Sequence, residues 1–377
     1  RANHAAVSIL AVVALVFPSV FHDAQSNVQY SDLAGVSVMS TPETMQLWHD
    51  KQPSESDSKP PRQTGNKRTR LAGTTTVTQQ QWGPLLALPD QETGKRYYGF
   101  DPVVQAQQAN LLTLGFDVGE ADGFKGPRTR QAIAEFRALY LPDSGRQLQD
   151  ADLAVIMETY ADLARSDAAR YGIDPGIVTA IRLSSVRTGV DFSYLMTLAA
   201  TESDFKPESE AATSSATGLY QFTRDTWLNT LKRHGAKYGL VGDYAALIEY
   251  YETRSGYRRP FVPEPSLYRH LLELRKNPRL SAMMAAETVR DNEQKLAHTF
   301  GREPTVTDLY LTHFLGADGA ITFLQSLEQH PGTHAVELFP MAASSNRGIF
   351  HPQDCAPRTV DEVYAYFDAK LSARRYD

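Results

Sequence analysis

The sequence predicts a mainly α protein, and three kinds of observation predict it. Apolar residues recur at i, i+3/i+4 and i+7, the spacing of one helix face. Residues that cap helix N-termini, such as Asp191 and Thr223, stand just ahead of these stripes. Proline and glycine fall at element boundaries, with Pro127 placed to open a helix and Gly115 placed to close one.

The bulk properties narrow the classes. The 377 residues suggest two or three folded units at roughly 100–200 residues each. A hydrophobic fraction of 42% suffices for ordinary cores and excludes wholesale disorder. Lys+Arg total 38 against Asp+Glu 44, a net charge of -6, so no nucleic-acid partner is expected. One cysteine, Cys355, excludes an intrachain disulfide framework and a Cys-based zinc or iron–sulfur site. His330 and His334 are four apart, but Pro331 and Gly332 between them break the helix a metal pair needs. No His-Glu-x-x-His, no Gly-x-x-x-x-Gly-Lys-Ser/Thr and no Gly-x-Ser-x-Gly occurs, so neither metal nor cofactor is expected.

Taken in order, residues 5–16 are apolar apart from Ser8. The run is shorter than the ~20 residues of a spanning helix and fits the apolar region of a secretory signal. Residues 1–25 therefore read as a signal peptide or a membrane tether, with a buried helix as the alternative. The expected location is periplasmic or secreted, with inner-membrane tethering as a variant. Residues 26–95 read as a disordered linker, because 52–76 are dense in Ser, Pro, Thr, Gln and Lys and cannot bury enough apolar surface. Lys59, Arg62, Lys67, Arg68 and Arg70 form a solvated basic patch within it.

Val103, Val104, Gln107, Leu111 and Leu114 lie near helical spacing, and Ala132, Ile133, Phe136, Leu139 and Tyr140 form the face of a second helix after Pro127. A glycine-containing turn, Asp122-Gly123-Phe124-Lys125-Gly126, joins them. The runs Gln108-Ala109-Asn110-Leu111, Leu114-Gly115-Phe116, Asp122-Gly123 through Thr129, and Ala132-Ile133-Ala134-Glu135-Phe136 resemble the small three-helix peptidoglycan-binding domain. Arg137 stands where that family has a final Gln. The resemblance assigns residues 96–142 to such a domain and 143–175, with a helix over 152–165, to a helical connection.

Further helices are expected over 177–187 and after Asp191. In the latter, Leu195, Leu198/Ala199 and Glu202 share a face, which puts a carboxylate at the end of an apolar stripe. Burial there raises a carboxyl pKa and favours a protonated acid near neutral pH; the alternative is a Glu that reaches water. After Ser203 comes a compact segment, Thr213-Ser214-Ser215-Ala216-Thr217-Gly218-Leu219-Tyr220-Gln221-Phe222, and then a helix capped by Thr223. Glu202-Ser203 and this segment resemble the signature of the SLT-type lytic transglycosylases, which share a goose-lysozyme-like helical fold. Thr213, Ser215 and Tyr220 depart from that family's Ser, Gly and Met. His234 through Leu240, Tyr310 through Gly316 and Asn346 through Phe350 extend the likeness, so residues 176–377 are assigned to the enzyme domain. Where the better-known members carry Ala-Tyr-Asn-Ala-Gly, this chain has Thr312-His313-Phe314-Leu315-Gly316. His313 aligns with that Tyr and Tyr310 lies one turn earlier, so either can face Glu202.

The resemblance implies cleavage of the bond between N-acetylmuramic acid and N-acetylglucosamine in peptidoglycan. Glu202 would protonate the leaving oxygen and then take the proton of the substrate's C6 hydroxyl, leaving a 1,6-anhydromuramoyl end. Ser203, Ser215, Gly218, Tyr220, Gln221, Tyr310 and His313 are the candidate substrate-binding residues. Ser203 contacts the substrate, orients Glu202 or only caps its helix, and Tyr220 and Phe222 stack on sugars or pack in the core. Residues 282–292 read as a small-residue helix behind the Glu202 helix, with Asn292 toward the cleft and Glu287 in the cleft or on a solvated face. The stretch 250–268 walls the cleft or forms a surface loop. The partner expected is the glycan strand, with a wall-spanning machine left open, and the protein is expected to be a monomer. The rival functions are a hydrolytic muramidase and a non-catalytic wall-binding protein.

Overall fold

In the computed structural model the described residues are 99–141, 148–212, 214–239, 242–254, 256–352 and 356–376. The expected export segment, the linker with its basic patch, Thr213 and Cys355 lie outside them. Among the described residues no helix is long and apolar enough to cross a membrane.

Three helices form the first layer. Helix α1 (Pro102–Thr113) starts where the Asp101 carboxylate accepts the Val103 amide at 2.8 Å, with Pro102 in the first position. It ends just before Gly115, whose φ of 79° is the left-handed stop expected there. Helix α2 (Pro127–Tyr140) opens on its proline. The turn between them is held by one buried amide. Gln108 accepts the Gly123 N–H at 2.8 Å, and its Nε2 faces Asp122 Oδ1 at 2.9 Å, Thr129 Oγ1 at 3.0 Å and the Phe124 carbonyl at 3.1 Å. Helix α3 (Asp150–Tyr171) is longer than the expected 152–165, and Tyr160 meets Phe136 with ring centroids 6.2 Å apart. It therefore shares the core of α1 and α2 instead of merely connecting them. Arg137 donates to the Leu148 carbonyl at 3.1 Å.

The remaining helices pack on this layer through one continuous apolar core running from Leu111 to Leu371. Helix α4 (Pro175–Thr188) is capped by Asp174, and α5 (Phe192–Ser203) by Asp191, whose carboxylate accepts the Tyr194 amide at 2.7 Å. Then follow α6 (Arg224–His234) and the short α7 (Gly242–Ala246). Strands β1 (Glu249–Glu252) and β2 (Arg258–Phe261) pair antiparallel with Glu249 opposite Phe261. Helices α8 (Pro265–Glu273), α9 (Pro278–Phe300) and α10 (Val306–Gln329) come next. Three short helices, α11 (Ala335–Leu338), α12 (Pro340–Ser345) and α13 (Arg347–Phe350), precede the C-terminal α14 (Val360–Ser372). Helix α10 breaks its ladder at Gly316, where φ is 74° and ψ 164°.

Two expectations change. The small-residue helix α9 packs most extensively on α4, not on the Glu202 helix. Glu287 on it is neither in a cleft nor solvated. It is fully buried, accepts from Lys237 Nζ at 2.5 Å and from the Tyr238 hydroxyl, and pairs with Arg290. A buried carboxylate requires such partners, and Glu287 joins α9 to the turn after α6. Asn292 donates to Thr312 Oγ1 at 2.9 Å, linking α9 to α10. The 250–268 stretch contains the hairpin and braces α6, with Arg259 Nε on Asp225 at 2.7 Å and the Tyr250 hydroxyl on Asn229 at 3.0 Å. Arg279 on α9 clamps the first layer: its guanidinium lies 4.2 Å from the Phe116 ring, donates to the Gly115 carbonyl and stands 3.6 Å from Glu135.

Candidate active site

Helix α5 carries Glu202 in its last turn, behind the buried Leu195, Leu198 and Ala199. The helix is followed by Asp204 and Phe205, both left-handed at φ 54° and 58°. Gln221 is left-handed too, at φ 49°, and these three are the non-glycine residues with positive φ among those described. Backbone of this kind costs on the order of 1–3 kcal/mol per residue and tends to cluster at functional sites. Asp204 and Phe205 follow the Glu202 helix, and Gln221 lies within the 214–222 segment.

Ser203 holds those two pieces together. It is 6% exposed, and its Oγ lies 2.7 Å from the Leu219 carbonyl and 3.2 Å from the Ala199 carbonyl, while accepting the Lys206 amide at 3.3 Å. Gly218 has φ 89°, and a Cβ there would stand 2.1 Å from the Arg275 carbonyl oxygen, so only glycine fits. The Arg275 side chain is buried and donates through Nη1 to the Ser215 carbonyl at 2.6 Å and the Phe222 carbonyl at 3.1 Å. Burial, reinforced by nearby Arg224, pulls its pKa below the usual guanidinium value. Ser215 Oγ accepts the Arg224 amide at 3.2 Å, and Gln221 Nε2 bonds the carbonyls of Ser209 at 3.1 Å and Gly218 at 3.0 Å. Tyr220 is 1% exposed and donates to the Leu195 carbonyl at 3.2 Å, while Phe222 packs edge-on against Trp227. The segment is thus a rigid shelf, with Ser203 and Tyr220 inside it rather than on its surface.

The Glu202 side chain is 15% exposed. The alternatives Tyr310 and His313 both reach it, one on each oxygen: the Tyr310 hydroxyl lies 3.3 Å from Oε1 and His313 Nε2 lies 3.3 Å from Oε2. Both come from the part of α10 before Gly316. Behind Tyr310 stands Lys370 of α14, with Nζ 3.4 Å from the hydroxyl and 5.5 Å from the ring centre. Arg374 ties this end of the chain to α5 by donating to the Ala200 carbonyl at 2.5 Å. Lys370, Arg374 and Arg275 were not singled out from the sequence, and no local motif marks them.

The electrostatics reverse one expectation. Burial pushes the Glu202 carboxyl up, as the apolar stripe suggested. The charge and hydrogen bond of His313, the charge of Lys370 and the Tyr310 hydroxyl together outweigh burial and hold it below the usual carboxylate value. Partial enclosure pulls the His313 imidazole, whose side chain is still 32% exposed, down, but Glu202 raises it above its ordinary value overall. Burial and the adjacent Glu202 push the Tyr310 phenol up. The carboxylates nearest along the chain are occupied elsewhere. Asp204 pairs with Lys206 at 3.1 Å, and Lys276 lies 2.8 Å from Glu210 and 3.7 Å from Glu208.

Residues 179–243 match the Transglycosylase SLT domain model. The matched stretch contains Glu202, Ser203 and the whole 214–222 shelf, and it implies a lytic transglycosylase acting on peptidoglycan. Tyr310, His313 and Lys370, and all of α1 to α3, lie outside the matched residues.

Proposed function

We propose that this protein cleaves the glycosidic bond between N-acetylmuramic acid and N-acetylglucosamine in peptidoglycan without consuming water, leaving 1,6-anhydromuramoyl ends. The observation that carries this reading is a nearly enclosed Glu202, within the matched residues, on α5 beside the 214–222 shelf and contacted by Tyr310 and His313. Hydrolysis by paired carboxylates calls for a second acid about 5–9.5 Å away. Asp204, Glu208 and Glu210 are exposed side chains beside surface lysines, and the reading we favour is a reaction in which the substrate supplies its own nucleophile.

Glu202 protonates the leaving glycosidic oxygen, and the bond to the anomeric carbon breaks with assistance from the sugar's N-acetyl group. The resulting carboxylate takes the proton of the C6 hydroxyl, whose oxygen closes on the anomeric carbon. The Tyr310 hydroxyl fixes Oε1 during both transfers. The backbone of 215–218 and Gln221 orient the sugar, and Ser203 and Tyr220 act indirectly by keeping the shelf in register with α5. The α1–α2 unit holds the enzyme on the wall, and the protein works in the periplasm as a monomer.

The test is mass spectrometry of fragments released from purified sacculi. Anhydro ends, one water lighter than reducing ends, are expected from the wild type, and Glu202→Gln should release none. Reducing ends alone would make the protein a muramidase, and release of neither would leave a wall-binding role.

A further inference from the structure

We infer that Glu202 and His313 act as one acid/base unit, in which His313 stores the proton that Glu202 delivers to the glycosidic oxygen and recovers it at the end of the cycle. The inference rests on the proposed function and makes His313 a proton store that acts through Glu202.

The geometry sets the problem that such a unit solves. A general acid must begin with a proton, yet the groups around this carboxylate donate to it. Tyr310 gives a hydrogen bond to Oε1 at 3.3 Å, His313 Nε2 stands 3.3 Å from Oε2, and Lys370 adds a charge 3.4 Å behind the Tyr310 hydroxyl. Such surroundings favour the anion. The groups facing Glu202 are Tyr194 on its own helix, Tyr310 and His313 on α10, and Lys370 on α14. His313 faces Glu202 and Lys370, and its ring lies 6.0 Å from that of Tyr310. The two tyrosines are pushed up by burial and keep their protons near neutrality. Burial pulls Lys370 down, but an amine titrates from a much higher starting value. His313 is the member of the set whose ordinary titration range spans neutral pH.

The pair shares one proton, which the lowered Glu202 and the raised His313 draw toward the imidazole. A sugar seated over Glu202 strips water from both ions, and desolvation penalises an ion pair more than its neutral form. The proton then moves from His313 Nε2 to Glu202 Oε2, leaving neutral imidazole and carboxylic acid. Oε2–H gives its proton to the glycosidic oxygen as the bond to the anomeric carbon breaks. The carboxylate then takes the C6 hydroxyl proton as the new C–O bond forms. On product release that proton returns to Nε2. One proton leaves with the product alcohol and one arrives from the C6 hydroxyl, so the unit ends as it began.

The experiment is kcat/KM against pH on solubilised peptidoglycan, with the full chain as wild type and as His313→Gln. Glutamine can still donate to Oε2 but holds no titrating proton. The wild-type rate is expected to fall at high pH with a midpoint above the ordinary imidazole value. In His313→Gln this limb is expected to move at least one pH unit toward acid, with a loss of roughly 10- to 100-fold at neutral pH and recovery as pH falls. A lower rate with an unmoved limb would mean that His313 only positions Glu202, and would overturn the inference. A second measurement needs neither turnover nor that variant to fold. Nitrogen-15 titration of His313 should show a lower pKa in Glu202→Gln than in the wild type, and equal values would overturn the inference as well. Absence of anhydro ends from the wild type would count against the proposed function, whereas the limb and the titration report on the pair alone.

Discussion

Replacing Gly218 by alanine is expected to loosen the shelf beside Glu202 and lower both stability and activity. A Cβ at this position would sit 2.1 Å from the Arg275 carbonyl oxygen and 2.9 Å from its carbonyl carbon. Ordinary contact needs more than 3.4 Å, and both obstacles are backbone, so no side chain can swing away. The φ of 89° adds a left-handed penalty of about 1–2 kcal/mol for any residue with a Cβ. Forcing the two segments apart adds about 1–3 kcal/mol, as in overpacked cores. The sum, about 2–5 kcal/mol, is a large part of the ~5–15 kcal/mol that holds a typical domain together. The displacement would also reach the site, because the Arg275 side chain carries the Ser215 and Phe222 carbonyls. The assay is a urea unfolding midpoint together with release of wall fragments. An alanine variant within about 0.5 kcal/mol of the wild type and equally active would refute the reasoning.

Three further outcomes follow from the packing and the charges. Ser203→Ala removes the donor to the Leu219 carbonyl and should cost about 1–2 kcal/mol in denaturant unfolding at pH 7. Glu287→Ala strands Lys237 and Arg290 and should cost about 3–5 kcal/mol at neutral pH. Burial raises Glu287, but Lys237, Tyr238 and Arg290 outweigh it and depress its pKa, so its contribution is present above the ordinary carboxylate value and is lost as pH falls through the depressed one. A variant and wild type that keep the same stability difference at pH 2 and pH 7 would contradict this. Glu293 behaves in the opposite sense. Burial, with Glu303 and Asp191 nearby, pushes it from 4.5 up to about 6. The fold therefore binds that proton more tightly than the unfolded chain does, and stability declines as pH rises from the lower value through the higher one. Glu293→Gln should gain on the order of 1–2 kcal/mol at pH 7.5 and nothing at pH 4, read from thermal or urea unfolding at the two pH values.

Much of the fold was legible because its signals are local. Asp191 and Thr223 cap the helices they were expected to cap, and Pro127 opens one. Gly115 closes another with the left-handed φ expected of it. Where legibility failed, the missing information was tertiary. A helix stripe contains α3 but does not say that its apolar side belongs with Phe136. Glu287 reads as a polar residue on a helix face, and only the chain returning from α6 with Lys237 and Tyr238 makes burial tolerable. Tyr220 could have faced a sugar by its spacing; the close approach of Leu195 turns it inward.

The site divides in the same way. The sequence by itself determined that a carboxylate ends an apolar helix and that a glycine-containing segment follows it, because helix periodicity and left-handed turns are properties of a few consecutive residues. Tertiary structure alone decided the state of that carboxylate. Its two hydrogen-bonding neighbours come from α10, with Tyr310 lying 108 residues further along the chain, and Lys370 comes 60 residues after that. The apolar stripe by itself argues for a raised pKa, and the assembled site holds it down. Ionisation depends on which charges lie within a few ångströms of a group, and that distance is fixed only when α5, α10 and α14 pack together.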